Sequence, residues 1–220
     1  SKKGSQMKNI LLASAILTAL VSSNALAEDA KTSGAYAGAD LGYSRVKNDA
    51  QEVANGLVSE LGGSVIVTQD SGVAVGRLFA GYNINENIAV ELGYLHTADI
   101  NLNAAGVAGN SVAYTGAADT SIKGVDYAVL IRPSASTGLN GVFAKVGGHS
   151  LKASTDMSLT GTSTVSFNDS VKGSGFLLGL GYQAPISSNI DARATYTYYD
   201  NVAGEDGHAN VFSLGILAKF

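Results

Sequence analysis

Eight segments with apolar residues at every second position, connections alternating between short and long, and a charged face opposite an aliphatic and aromatic one predict the fold. It is an all-β chain, an eight-stranded antiparallel up-and-down transmembrane β-barrel. The composition agrees. Charged residues make up only 15% of the 220, glycines number 27, and the two prolines, Pro133 and Pro185, leave room for long uninterrupted strands. A formal charge of −4 and a pI near 5.3 provide no basic footprint, so no nucleic-acid partner is expected.

The chain opens with a targeting pattern. Met7 and Lys8 precede the mostly apolar run Ile10 to Val21, and "SSNALA" follows before Glu28. A positive start, an apolar middle and the small-residue A-x-A at Ala25 and Ala27 describe a secretory signal peptide cleaved between Ala27 and Glu28. The run is shorter than the ~20 residues that a membrane-spanning helix needs. Residues 1–27 are therefore read as an upstream remnant plus signal peptide, and residues 28–220 as the barrel domain. After cleavage, 11 basic and 18 acidic residues leave a net charge of −7.

Strands are expected at Ala35–Arg45, Gly72–Tyr82, Ile88–His96, Ile122–Arg132, Gly141–Lys152, Lys172–Tyr182, Ile190–Asp200 and Asn210–Phe220. In "IDARATYTYYD", Ile190, Ala192, Ala194, Tyr196 and Tyr198 share one face while Asp191, Arg193, Thr195 and Thr197 share the other. In "NIAVELGYLH", Ile88, Val90, Leu92 and Tyr94 alternate with Ala89, Glu91, Gly93 and Leu95. "NINEN", "PSASTGLN" and "APISSN" are short polar turns, whereas about 26, 25 and 19 residues follow Arg45, His96 and Lys152. Short turns at one end and long loops at the other fit an outer membrane barrel.

Strand parity alone leaves open which face is inside. The aromatic residues decide it: Tyr43, Tyr82, Tyr94, Tyr182, Tyr196, Tyr198, Phe212 and Phe220 lie on the apolar face near strand ends, as the girdles of a membrane barrel do. The opposite face then lines the lumen, with Asp40, Arg77, Glu91, Asp126, Arg132, Lys145, Asp191, Arg193 and Lys219. Register places Asp40 beside Arg77, and Asp191 opposite Lys219. An ion network that fills the lumen, helped by the bulk of Phe79, Phe143, Leu177 and Leu217, is favoured over a gate or ion path, because eight strands enclose only a side-chain-sized interior.

The segments "AGADLGYS", "FAGYNINENIAVELGY", "VFAKVGG" and "GLGYQAPISSNIDARATYTY", with the final Phe220, resemble the OmpA-type transmembrane β-barrel family of small outer membrane proteins, similar to the OmpA N-terminal domain, OmpX and OmpW. The resemblance implies an integral protein of the cell outer membrane with a structural or surface-interaction role. The partners it implies are outer membrane lipids and lipopolysaccharide, the outer membrane assembly machinery and an unidentified surface partner. By the same resemblance, Phe212, Leu214, Ile216, Ala218 and Phe220 form the assembly signal. No peptidoglycan-binding domain is expected.

A narrow pore for small solutes is the alternative function, and a lipid A-modifying enzyme a weaker one. His149 and Ser150 are adjacent on a strand and face opposite sides, so they cannot form a nucleophile and base pair. No enzyme activity, metal site or cofactor is expected. In the first long loop, Asp49 and Glu52 have capping-box spacing, and Val53, Leu57, Val58 and Leu61 form a stripe ended by Gly62, which predicts a short helix lying on the barrel mouth. The third loop, with a turn at Gly161, is expected to continue its two strands as a hairpin with an exposed edge.

Overall fold

The computed structural model describes residues 33–45, 50–202, 204 and 207–220. Ten strands and one α-helix occur among them: β1 Gly34–Arg45, α1 Ala50–Leu61, β2 Ser64–Gln69, β3 Gly72–Asn83, β4 Ile88–Thr97, β5 Ile100–Val107, β6 Ala113–Ile131, β7 Val142–Thr160, β8 Thr164–Pro185, β9 Ile190–Asp200 and β10 His208–Lys219. The ring β1-β3-β4-β6-β7-β8-β9-β10 closes through the β1–β10 pair, with Leu41 opposite Leu214 and Tyr36 opposite Lys219. Closure satisfies every edge hydrogen bond of these eight strands within the band where no water is available.

Side-chain orientation is inverted relative to a soluble barrel. Leu41, Leu78, Leu92, Leu180, Leu214 and Ile216 are all more than half exposed, while Asp126 is fully buried. Soluble proteins do not expose an aliphatic patch that runs around the whole molecule, so this surface is built for lipid. Tyr43, Tyr94, Tyr196 and Phe212 ring the long-loop end of this band, and Tyr82 and Tyr182 mark the short-turn end. The short turns are tightly bonded. Asn85 Oδ1 accepts from the backbone N–H groups of Asn87 and Ile88 at 2.9 and 2.8 Å, and Ile186 N–H donates to Ile190 O at 2.8 Å.

The long-loop end departs from the expected loops. β7 and β8 continue above the membrane as the hairpin expected around Gly161, but β6 also runs on well past its expected end, and β2 and β5, which were expected as loop, add a further hairpin. The upper half of β6 pairs with β5 on one side and β7 on the other, giving a sheet β2-β5-β6-β7-β8 that stands above the ring. Its face polarity is the reverse of the barrel's. Ser154, Ser158, Ser166 and Ser170 continue the outer wall, whereas Val67, Leu102, Tyr114, Leu159 and Phe167 face inward over the barrel axis. Water replaces lipid outside at this height, so hydroxyls replace aliphatics.

The helix forms where its stripe predicts, ends at Gly62 with φ of 65°, and is tied to the β5–β6 turn by Gly109 N–H donating to Leu61 O at 2.9 Å. Asp49 of the expected capping box lies outside the described residues. The stripe does not seal the barrel mouth. α1 packs against β2 instead, with Val53 and Leu57 half-buried and Val58 and Leu61 exposed, because the unexpected strand β2 offers it an adjacent apolar face. Asp70, between β2 and β3, accepts from Asn101 N–H at 3.0 Å and from its amide at 2.9 Å, which holds the Asp70 carboxyl below the usual carboxylate range.

Candidate functional site: the lumenal charge network

Six of the nine expected lumenal charges meet at one level of the barrel. Arg77 on β3 is the hub: Nε donates to Asp126 Oδ2 at 2.7 Å, Nη2 to Asp126 Oδ1 at 2.6 Å and to Glu91 Oε1 at 2.8 Å, and Nη1 to Asp40 Oδ2 at 3.2 Å. Arg193 on β9 completes the far side, donating to Glu91 Oε2 at 2.7 Å and Asp40 Oδ2 at 3.0 Å. Lys145 on β7 lies 3.6 Å from Glu91 and 3.7 Å from Asp126. Three cations and three anions cancel. Each side chain is at most 6% exposed, so the cluster is fully withdrawn from solvent and must be neutral to persist.

Aromatic rings close the remaining gaps. Arg193 stacks over Phe79 at 3.9 Å from the ring centroid, and Arg77 lies 5.1 Å from the same ring. Tyr36 and Tyr199 donate their hydroxyls to Glu91 and Asp126, each at 3.2 Å. Two glycines make space: a Cβ at Gly93 would strike the Arg77 guanidinium, and one at Gly215 would strike the Asp40 carboxylate. These glycines and tyrosines were not among the expected site residues. Only the register of neighbouring strands shows that they border the cluster. The void beside the network is ≈10 Å³, at or below the ~10–15 Å³ that one water needs. Above it a vestibule of ≈600 Å³ opens toward the long loops, lined by Val73, Leu95, Ile122, Leu151 and Val211 among others.

The other three charges sit toward the short-turn end. Lys219 Nζ meets Asp191 Oδ1 at 2.6 Å, and Gln183 donates to Asp191 Oδ2 at 2.7 Å. The residue directly opposite Asp191 is Leu217, not Lys219; the lysine reaches back diagonally by two positions, as its long stem allows. Arg132 does not join the network. It follows the end of β6 and donates instead to Asn83 Oδ1 at 3.0 Å, because the turn carries it below the charge layer.

His149 and Ser150 are separated as their adjacency requires. His149 is buried in the lumen, with Nε2 against Asp200 O and its ring edge-on to Tyr199 at 5.5 Å, while Ser150 points outward and bonds Ser174. Among the described residues, no group of three or more His, Cys, Asp or Glu could hold a metal ion. Phe212, Leu214 and Ile216 face outward on β10, and Phe220 N–H donates to Ala35 O at 2.9 Å.

Removing the hub tests the network directly. Arg77→Met leaves three buried carboxylates facing two cations and should cost about 3–5 kcal/mol in denaturant unfolding of the detergent-folded protein. Pairing it with Asp126→Leu should restore a large part of that loss. If the two substitutions add independently, the charges are not coupled.

The profile of the OmpA-like transmembrane domain matches residues 30–220. No curated protein sequence matches the chain. Among solved structures, Neisserial surface protein A is 16% identical, with 86% of this chain and 99% of that one covered at a TM-score of 0.38. Ail, the attachment invasion locus protein of Yersinia pestis, is 15% identical over 85% of this chain and 99% of its own, at a TM-score of 0.44. The N-terminal β-barrel domain of Pseudomonas aeruginosa OprF is 12% identical over 86% and 100%, at a TM-score of 0.36. The family match spans the closed ring, its lumenal charges and the final strand, and this integral outer membrane β-barrel belongs to the OmpA-like transmembrane domain family.

Proposed function

We propose that the protein is a plugged scaffold whose role is surface interaction, carried by the sheet above the membrane. One observation carries this reading: β2-β5-β6-β7-β8 rises beyond the ring as an ordered platform with open edges at β2 and upper β8, and Phe167 and Val165 are 58% and 45% exposed on it. Open strand edges recruit further strands, and exposed aromatic residues anchor partners. The partner is an unidentified molecule at the cell surface.

Shortening the hairpin tests the reading. Replacing Met157–Phe167 by an Asn-Gly turn joins the directly opposed Asp156 and Asn168, and leaves the closed ring untouched. The variant should keep heat-dependent gel mobility yet lose most of the surface attachment that expression of the intact chain confers on cells. Binding equal to that of the intact chain would remove the platform from the function.

The pore alternative is disfavoured by the six-charge plug and the ≈10 Å³ void beside it. In planar bilayers the purified chain should give no steady single-channel openings; reproducible openings would favour the pore. His149 and Ser150 face opposite sides of β7, so they do not pair as base and nucleophile. Maturation by cleavage after Ala27, which lies outside the described residues, is part of the same proposal. N-terminal sequencing of the membrane-inserted protein should begin at Glu28, and any other start overturns it.

A further inference from the structure

One row of the barrel's outer wall is basic. His96 of β4 lies directly opposite Lys123 of β6, Lys123 opposite Lys152 of β7, and Lys152 opposite Lys172 of β8. Strand parity places all four outside, in line with the lipid-facing Tyr94, Tyr127, Val146 and Phe176 of the same strands. The row marks the upper limit of the apolar band. Tyr94 and Val125 lie one outward position below it, and Ser121, Ser154 and Ser170 one position above.

Like charges placed directly opposite on neighbouring strands repel one another. Among the described residues, no acid is placed to neutralise these. Every lumenal cation of the network is ion-paired, but none of the ion pairs among the described residues includes Lys123, Lys152 or Lys172. The outward acids on these strands, Asp119 and Asp156, lie four residues further out, ~13 Å along the strand. A general excess of basic residues does not explain the row either, since acids outnumber lysine and arginine 18 to 14 in the chain.

We propose that this row binds phosphorylated lipid headgroups of the outer leaflet. Its position at the junction of apolar wall and hydroxyl-rich wall is the depth at which headgroups sit, and lysine stems lie along an apolar surface while their ammonium groups reach the polar layer. Phosphate oxygens accept from the ammonium groups and from the flanking serine hydroxyls. From Lys123 to Lys172 the row covers two strand spacings, ~10 Å, which suits a headgroup with two separated phosphates, or two neighbouring lipids, better than a single small anion.

The test uses the full chain folded in neutral detergent micelles. The micelles are doped with lipid A carrying both phosphates or with its dephosphorylated form, and inorganic phosphate is the soluble competitor. Lipid binding is read by native mass spectrometry. The intact chain should retain the phosphorylated lipid and release the dephosphorylated one, and millimolar inorganic phosphate should not displace it. Lys123→Gln, Lys152→Gln and Lys172→Gln should each weaken binding about five-fold, and the triple variant about a hundredfold, while Lys152→Arg binds as the intact chain does. Heat-dependent gel mobility reports whether each variant is folded, and the single variants stand if the triple does not fold. Single or triple variants within two-fold of the intact chain, equal retention of the dephosphorylated lipid, or full displacement by inorganic phosphate would each overturn the assignment.

Discussion

The arrangement depends on three cations and three carboxylates held inside a ring of eight strands. Arg77 contacts three acids from three other strands, so its position fixes the relative height of β1, β3, β4 and β6. Arg193 reaches Glu91 across 102 residues of sequence and binds β9 to β4 through the lumen. A buried charge left unpaired is strongly destabilising, so a slip of any one of these strands would break several ion pairs together. A one-residue slip would also turn that strand's aliphatic side chains away from lipid. Charge pairing inside and hydrophobic matching outside therefore select the same register.

The glycines follow from the same constraint. Arg77 and Asp40 occupy the space that side chains at Gly93 and Gly215 would fill, and the rings of Phe79 and Phe143 are accommodated in the same way beside Gly38 and Gly181. Large and small side chains thus alternate around the lumen and fill it. The scaffold is rigid for this reason, and whatever the protein meets at the surface meets strands that continue directly from a closed ring.

Above the lipid the environment reverses while the strands continue. The outward positions of β6 pass from Val125 to Lys123, Ser121 and Asp119, and the inward positions from Asp126 to Ile122 and Ala118. The reversal explains why the upper part of β6 was expected as loop, its outward side chains being small or polar and its inward apolar residues few, whereas the β7–β8 extension was legible as a hairpin from its turn at Gly161. β2 and β5 are six and eight residues long, and their apolar positions show a strand only when both lie beside β6. Ile190–Asp200 matched its expected bounds because it is bounded by a tight turn and lies wholly within the lipid-facing band.

The sequence by itself determined the two-faced strands, the number of strands in the ring, the helix from Ala50 to Leu61, and which charged residue types share a face. All of these arise from the alternation of a single strand or the periodicity of a single helix, which are local properties of the backbone. Only the tertiary structure decided which charges meet, that Arg132 stays outside the cluster, that Lys219 reaches Asp191 diagonally, and that three lysines from three strands form one row. Each depends on register between strands far apart in the chain, and register is set collectively by closing the ring.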